Sequence, residues 1–347
     1  MTGAKKNNYI TLLDSVNQSD IHELLKKYKD ENKEDIKLTG NKSFLVNNLL
    51  EAVDSGIITE FEVQSLIKDS EEFGDQYIYF FKPIDNSVIN KYNDGDKIAD
   101  SIIHPSVRAR FPKLNLAATS FEWADFRYPY RGISESWLLK IYDKKVREIK
   151  ADEKFDYAIR ERYVTYKTIE SRLIYLVEWN DAKQLEIKIS RTSFDSNKSL
   201  GSSIKLIKKS IYNNGTGIDM ANEVTPLDLT SCINNILDNS IANKKTYTLL
   251  SVNLLDAEFG KAFIRCLDED SDLLSDSSRK KAIEAYKKGG GRADGIAVRF
   301  LADGSNGELK SDLSVIIGKD AINKIIIPAK IKPQEYRYVK RKIAEFS

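Results

Sequence analysis

Over the first eighty residues the apolar positions recur at helical spacing. Ile21, Leu24, Leu25 and Tyr28 fall at i, i+3, i+4 and i+7, the stripe by which a helix buries one face, and Asp20 with Glu23 is placed as a capping box before it. A second helix is predicted over residues 42–53, with Leu45, Leu49, Leu50 and Val53 inward and Gly56 as its stop. Thr59 and Glu62 open a third, which carries Val63, Leu66 and Ile67. The period then changes. Residues 76–82 are aromatic-rich, lack helix spacing and read as a strand ending at Pro83, and residues 84–98, with Asp, Asn and Gly in excess, read as a linker.

The clearest signal in the middle of the chain is a hairpin. Residues 172–179 form a dense apolar and aromatic strand, 180–183 a turn, and 184–191 alternate Leu185, Ile187 and Ile189 with Glu186, Lys188 and Ser190, so that one face is expected inside and the other in solvent. Residues 137–142 and 157–168 fit a strand and a helix, although periodicity does not decide. Further on, Pro226 is placed at a helix start with Leu229, Cys232, Ile233, Ile236 and Leu237 as the inner stripe. Residues 246–255 read as a strand and 279–288 as a helix stopped by Gly289. Residues 293–301 and 308–317, joined by Asp303-Gly304-Ser305-Asn306-Gly307, read as a second hairpin. The expected fold class is α+β: an N-terminal helical domain (1–82), a linker (83–104), a basic aromatic-rich β-containing domain (105–215) and an α+β C-terminal region (216–347). No period of 20 to 50 residues repeats, which argues against a solenoid or propeller.

Composition excludes several classes. A hydrophobic share of 41% with 31% charged residues is that of a globular chain, and 347 residues are enough for more than one core. No uncharged apolar run approaches the roughly 18 residues that span a bilayer, and the polar first residues do not resemble a secretory signal, so a cytoplasmic protein without a membrane partner is expected. Cys232 and Cys266 have no Cys or His at metal-ligand spacing and read as reduced core thiols. With His22 and His104 as the only histidines, chemistry built on an imidazole base has little material.

Charge alters the picture more. The total of +2 conceals net −5 over residues 1–82 and net +8 over residues 105–215. In the basic third, Arg108, Arg110 and Lys113, then Trp123, Arg127, Tyr128, Tyr130 and Arg131, interleave cations with aromatics, a pattern that can neutralise phosphates and stack bases. Lys188 and Arg191 on the hairpin extend the set of phosphate contacts. The competing reading of the same residues is an aromatic core with solvated cationic rims. The basic run Arg337, Lys340, Arg341 and Lys342, with Tyr336 and Tyr338, is expected on a solvated helix face.

Residues 24–53 resemble the SAP module, a two-helix DNA-binding motif. The matching positions are Leu24 and Leu25 in the first helix, then Leu38-Thr39-Gly40-Asn41-Lys42, where the family has an apolar residue, a Gly and a Lys two later, followed by the paired Leu49 and Leu50. The resemblance covers about a tenth of the chain and implies that Gly40 makes the turn while Lys42 approaches phosphate at the start of the second helix. The linker between the helices is longer and more acidic than the family's.

A second function class is a metal-dependent nuclease, for which Asp294, Glu308 and Lys310 supply the acid and lysine such sites use, with Mg²⁺ as cofactor. Lys287 to Arg292 surround Gly289-Gly290-Gly291, which could cradle an anion but lacks the ending of a Walker loop and reads as a connector. The third class is a scaffold whose acidic N-terminal domain docks a protein partner. The leading expectation is a nucleic-acid-binding protein of low sequence specificity, with DNA favoured over RNA and no cofactor.

Overall fold

A computed structural model describes residues 1–32, 36–102, 121–156, 159–192, 195–214, 216–256, 258, 260–266, 268 and 271–347. The chain is α+β. Its N-terminal helices are α1 (Gly3–Leu13), α2 (Gln18–Asn32), α3 (Lys42–Asp54) and α4 (Glu60–Glu72), which bury Leu13, Ile21, Leu25, Leu49, Leu50 and Ile67 among themselves. Thr59 caps α4 in both directions: its side chain accepts from the Glu62 amide while the Glu62 carboxylate accepts from the Thr59 amide. The box expected at Asp20 does not form, because α2 starts two residues earlier; Asp20 and Glu23 instead bind Lys332 at 2.8 and 3.0 Å.

Behind these helices, eleven antiparallel strands among the described residues form one sheet. In chain order they are β1 (Gly74–Pro83), β2 (Glu122–Arg127), β3 (Trp137–Asp156), β4 (Glu161–Trp179), β5 (Leu185–Ser190), β6 (Val224–Pro226), β7 (Tyr247–Leu255), β8 (Lys261–Arg265), β9 (Arg292–Phe300), β10 (Leu313–Gly318) and β11 (Lys324–Lys330). Their spatial order is β2-β3-β4-β5-β1-β11-β10-β9-β7-β8, with β6 against the end of β1. The aromatic strand that closes the helical segment is thus the centre of the sheet, with a neighbour from each of the later segments. Gly74, at φ +73, makes the entry from α4 into β1 possible: a Cβ there would lie 2.0 Å from the Ala329 carbonyl oxygen.

Alternation along β1 divides the interior. Ile78 and Phe80 face a core shared with α8 (Thr230–Asn239), α10 (Pro333–Phe346) and strands β7 and β9 to β11, whereas Tyr79 and Phe81 face a second core under α5 (Asn86–Asn93), α6 (Gly95–Ser101) and α7 (Asn197–Asn213). The segment read as a linker therefore contains two helices. Asp85 and Asp94 cap them by accepting from the Val88 and Lys97 amides, and Val88, Tyr92 and Ile98 go inward, so the polar residues that suggested a loop are helix caps and outer faces.

Three other sequence expectations change. Of the residues read as a helix over 157–168, 161–168 belong to β4 and 159–160 to the turn before it, while 157 and 158 lie outside the described residues. Pro226 ends a strand, and the helix carrying Cys232, Ile233, Ile236 and Leu237 begins at Thr230. Strand β5 is buried on both faces, Glu186 and Lys188 included, because α10 covers the side expected in solvent. The second hairpin pairs β9 with β10 as expected, although residues 308–312 precede the strand. Among the described residues no helix is long and apolar enough to cross a membrane.

Candidate nucleic-acid interface

The side of β2 to β5 facing α4 and α10 is lined with charge. Glu71, at the last turn of α4, accepts from Lys140 Nζ at 2.5 Å and Tyr142 Oη at 2.7 Å and pairs with Arg172 at 2.6 Å. Beside it Glu72 takes both terminal nitrogens of Arg127 at 3.1 and 2.6 Å, and Arg127 Nε reaches Asp125 at 3.0 Å. A second group lies toward α10. There Glu186 accepts from Tyr336 Oη at 2.5 Å and pairs with Lys340 at 2.6 Å, while Lys188 Nζ reaches Glu178 at 2.6 Å. Arg131 stands over the rings of Phe73 and Tyr130, 4.7 Å from each centroid.

Burial raises the Glu72 carboxyl, but the charges of Arg127 and Lys140 outweigh it and hold the group down, at about 2. Glu71 is lowered in the same way against its own burial by Lys140 and Arg172, whereas burial leaves Asp125 above its ordinary value. The sign follows for acid stability. A depressed carboxyl contributes stability present above its unfolded value of about 4.5 and lost as pH falls toward about 2, on the order of 3 kcal/mol for Glu72. The raised Asp125 acts with the opposite sign and offsets part of this. Urea denaturation between pH 7 and pH 3 should therefore show wild type losing stability on acidification, with a smaller loss in Glu72→Gln; equal losses would contradict the ion-pair geometry.

These pairs occupy much of the cation set read from sequence. Lys188 is buried and Arg127 largely so, both in ion pairs, and Arg131, although exposed as a residue, has its side chain only 22% exposed with Glu178 4.0 Å away. Trp123 is buried, its indole N–H donating to Ser210 Oγ at 2.9 Å, and Tyr130 lies beneath Arg127 and Arg131. Tyr128 is half-buried against Gly95, where a Cβ would meet its ring. These side chains present no stacking platform: Trp123 is turned inward from β2, and Tyr128 and Tyr130, beyond the strand's end, pack against Gly95 and under the two guanidinium groups. Arg108, Arg110 and Lys113 lie outside the described residues. Tyr336 and Tyr338 are buried and Lys340 pairs inward with Glu186, against the solvated face expected for α10, whereas Arg337 and Arg341 are exposed on that helix as expected.

Lys42 and Arg191 remain, and the fold brings them together. A cleft of about 610 Å³ opens between the α1–α2 turn, the start of α3, the ends of β1, β5 and β11 and the middle of β4, and its cations are Lys42, Arg172, Arg191 and Lys330. Asp14, Glu71 and Asp75 also line it. Glu71 is engaged by Lys140 from below, and Asp75 holds Arg191 Nη1 at 3.2 Å, which leaves Arg191 Nε buried and, among the described residues, without a hydrogen bond. Lys330 Nζ donates to the Ser70 carbonyl at 2.6 Å, and burial lowers its pKa by disfavouring the ammonium. Lys42 Nζ donates to the Asp14 carbonyl at the rim. Behind Lys42, Gly40 at φ +130 fits its turn against Phe44, and Asn41 caps α3 by accepting from the Phe44 amide at 3.0 Å. Arg172 and Lys330 were missed by sequence reading: the first sat inside an apolar strand, and the second is joined to the others only by the pairing of β11 with β1.

The nuclease residues are not assembled. Asp294 sits near Gly318 at one end of the β9–β10 hairpin, whereas Glu308 and Lys310 lie beyond its other end, past the Phe300–Leu313 pair, roughly 20 Å away along the strand. Glu308 is held by Arg341 at 2.9 Å and Lys310 by Glu23 of α2. Among the described residues no three His, Cys, Asp or Glu side chains converge as a metal site. The triple glycine ends α9 (Ser277–Lys288) and leads into β9, with Gly290 at φ +84 and Lys287 paired to Asp238. No protein-family model matches the chain, and no curated protein and no solved structure matches it.

Proposed function

We propose that this protein binds nucleic acid with low sequence specificity by seating backbone phosphate in the cleft between the N-terminal helices and the sheet. The observation that supports this reading is the convergence of Lys42, Arg172, Arg191 and Lys330, from four separate parts of the chain, around one polar cleft. Phosphate neutralisation requires clustered cations, and the Arg191 side chain stays one-third exposed at this cleft. Lys42 at the first turn of α3 has the role that the SAP resemblance implies, which favours DNA. None of the four cations stands on a helix directed outward as a base reader, so sequence preference is expected to be weak. The test is binding of labelled duplex and single-stranded DNA and RNA at about 50 mM salt, repeated at rising salt: affinity that declines steeply supports the reading.

A further inference from the structure

The two longest strands run past the rest of the sheet. Beyond Tyr142 in β3 and before Tyr175 in β4, each pairs, among the described strands, only with the other, forming a ribbon roughly 40 Å long. Val146, Phe155, Ile159, Tyr163 and Tyr166 are exposed along it, although a two-stranded ribbon in water is at best marginally stable by itself.

The outer edge of β4 is the unusual part. Residues 162–170 read Arg-Tyr-Val-Thr-Tyr-Lys-Thr-Ile-Glu, with β-branched or aromatic residues at six of nine positions and neither Pro nor Gly. Free edges are normally blunted by proline, a bulge or inward charge; here the bulge interrupts β3, between Lys150 and Asp152, and β4 runs without a break. An edge of this kind offers a row of backbone donors and acceptors to another strand.

We propose that this edge pairs antiparallel with the same edge of a second copy of the chain, about a twofold axis at Tyr166. The sequence is self-complementary in that register. Arg162 stands opposite Glu170, Tyr163 opposite Ile169, Val164 opposite Thr168 and Thr165 opposite Lys167, with no like-charged pair, and the symmetry produces each pairing twice. In the single chain Glu170 already holds Lys144 at 2.6 Å and Arg162 holds Glu153, so the new contacts complete an alternating row of charges across the interface. A β-ribbon also fits the major groove of duplex DNA. The ribbon is a poor match for a polyanion, however, since residues 144–170 carry eight basic against six acidic side chains. The dimer does not depend on the nucleic-acid reading.

Sedimentation equilibrium of the full chain should show reversible association to twice the 39.5 kDa chain mass. Arg162→Glu and Glu170→Arg, both at exposed sites, should each weaken association roughly tenfold or more, and the double exchange should restore it. Tyr166→Cys should cross-link to its own mate under mild oxidation. A wild type that stays monomeric at all concentrations, or single reversals that leave association unchanged, would overturn the proposal. So would reversals that lower DNA affinity while the mass stays that of one chain, an outcome that assigns the ribbon to a nucleic-acid groove.

Discussion

Alanine at Lys140 is expected to destabilise the fold by about 3–5 kcal/mol, the range for breaking a buried ion pair from one side. Lys140 is wholly buried on β3, with Glu71 Oε2 at 2.5 Å and Glu72 at 3.6 Å. Removing the ammonium leaves two carboxylates in the interior with Arg172 and Arg127 beside them as counter-charges. Lys154 is the control. It is 81% exposed and 3.7 Å from Asp152, so Lys154→Ala should change stability by less than about 1 kcal/mol. Urea unfolding of both variants at pH 7 decides the matter, and a Lys140→Ala loss no greater than the control's would mean that the charged layer is hydrated. For the same reason Arg127→Glu would set a third carboxylate beside Glu72 and Asp125, so it should impair folding before it reports on binding.

The second large effect is expected at the cleft. Reversing Lys42 and Arg191 together to Glu should remove about two phosphate contacts, weaken binding to all sequences alike, and flatten the log-log salt dependence by about 1.8 for duplex DNA or about 1.4 for single strands. Neither side chain holds the core together. Lys42 is half-buried and Arg191 one-third exposed, so the folded state should persist, which circular dichroism and the melting temperature would verify.

How far the chain could be read in advance depended on where the information lay. Helices α2 to α4 and the two hairpins were legible because a helix or hairpin announces itself over a dozen neighbouring residues, as with Thr59 and Glu62 or Leu185, Ile187 and Ile189, whereas α1 was not read as a helix. The single sheet was not legible. Its central strand pairs Tyr77 with Ile189 on one side and with Ile326 on the other, contacts of more than a hundred residues that leave no local trace. The charged layer was misread for a related reason. Alternation in β5 marks Glu186 and Lys188 as one face but does not say whether water or α10 covers it, and the answer depends on Tyr336 and Lys340 at the far end of the chain. Lys42 and Arg191 could be proposed from sequence, whereas their meeting with Arg172 and Lys330 required the fold.

The salt dependence of nucleic-acid binding by the full wild-type chain tests the central claim most directly. Phosphate seated among Lys42, Arg172, Arg191 and Lys330 requires counterion release, so log affinity should fall linearly with log salt, at a slope near −0.9 per contact for duplex DNA. A slope corresponding to at least two contacts, reduced by about two in the Lys42→Glu/Arg191→Glu variant, is the predicted result. Binding that is absent at about 50 mM salt, or present with the same slope in wild type and variant, would contradict it.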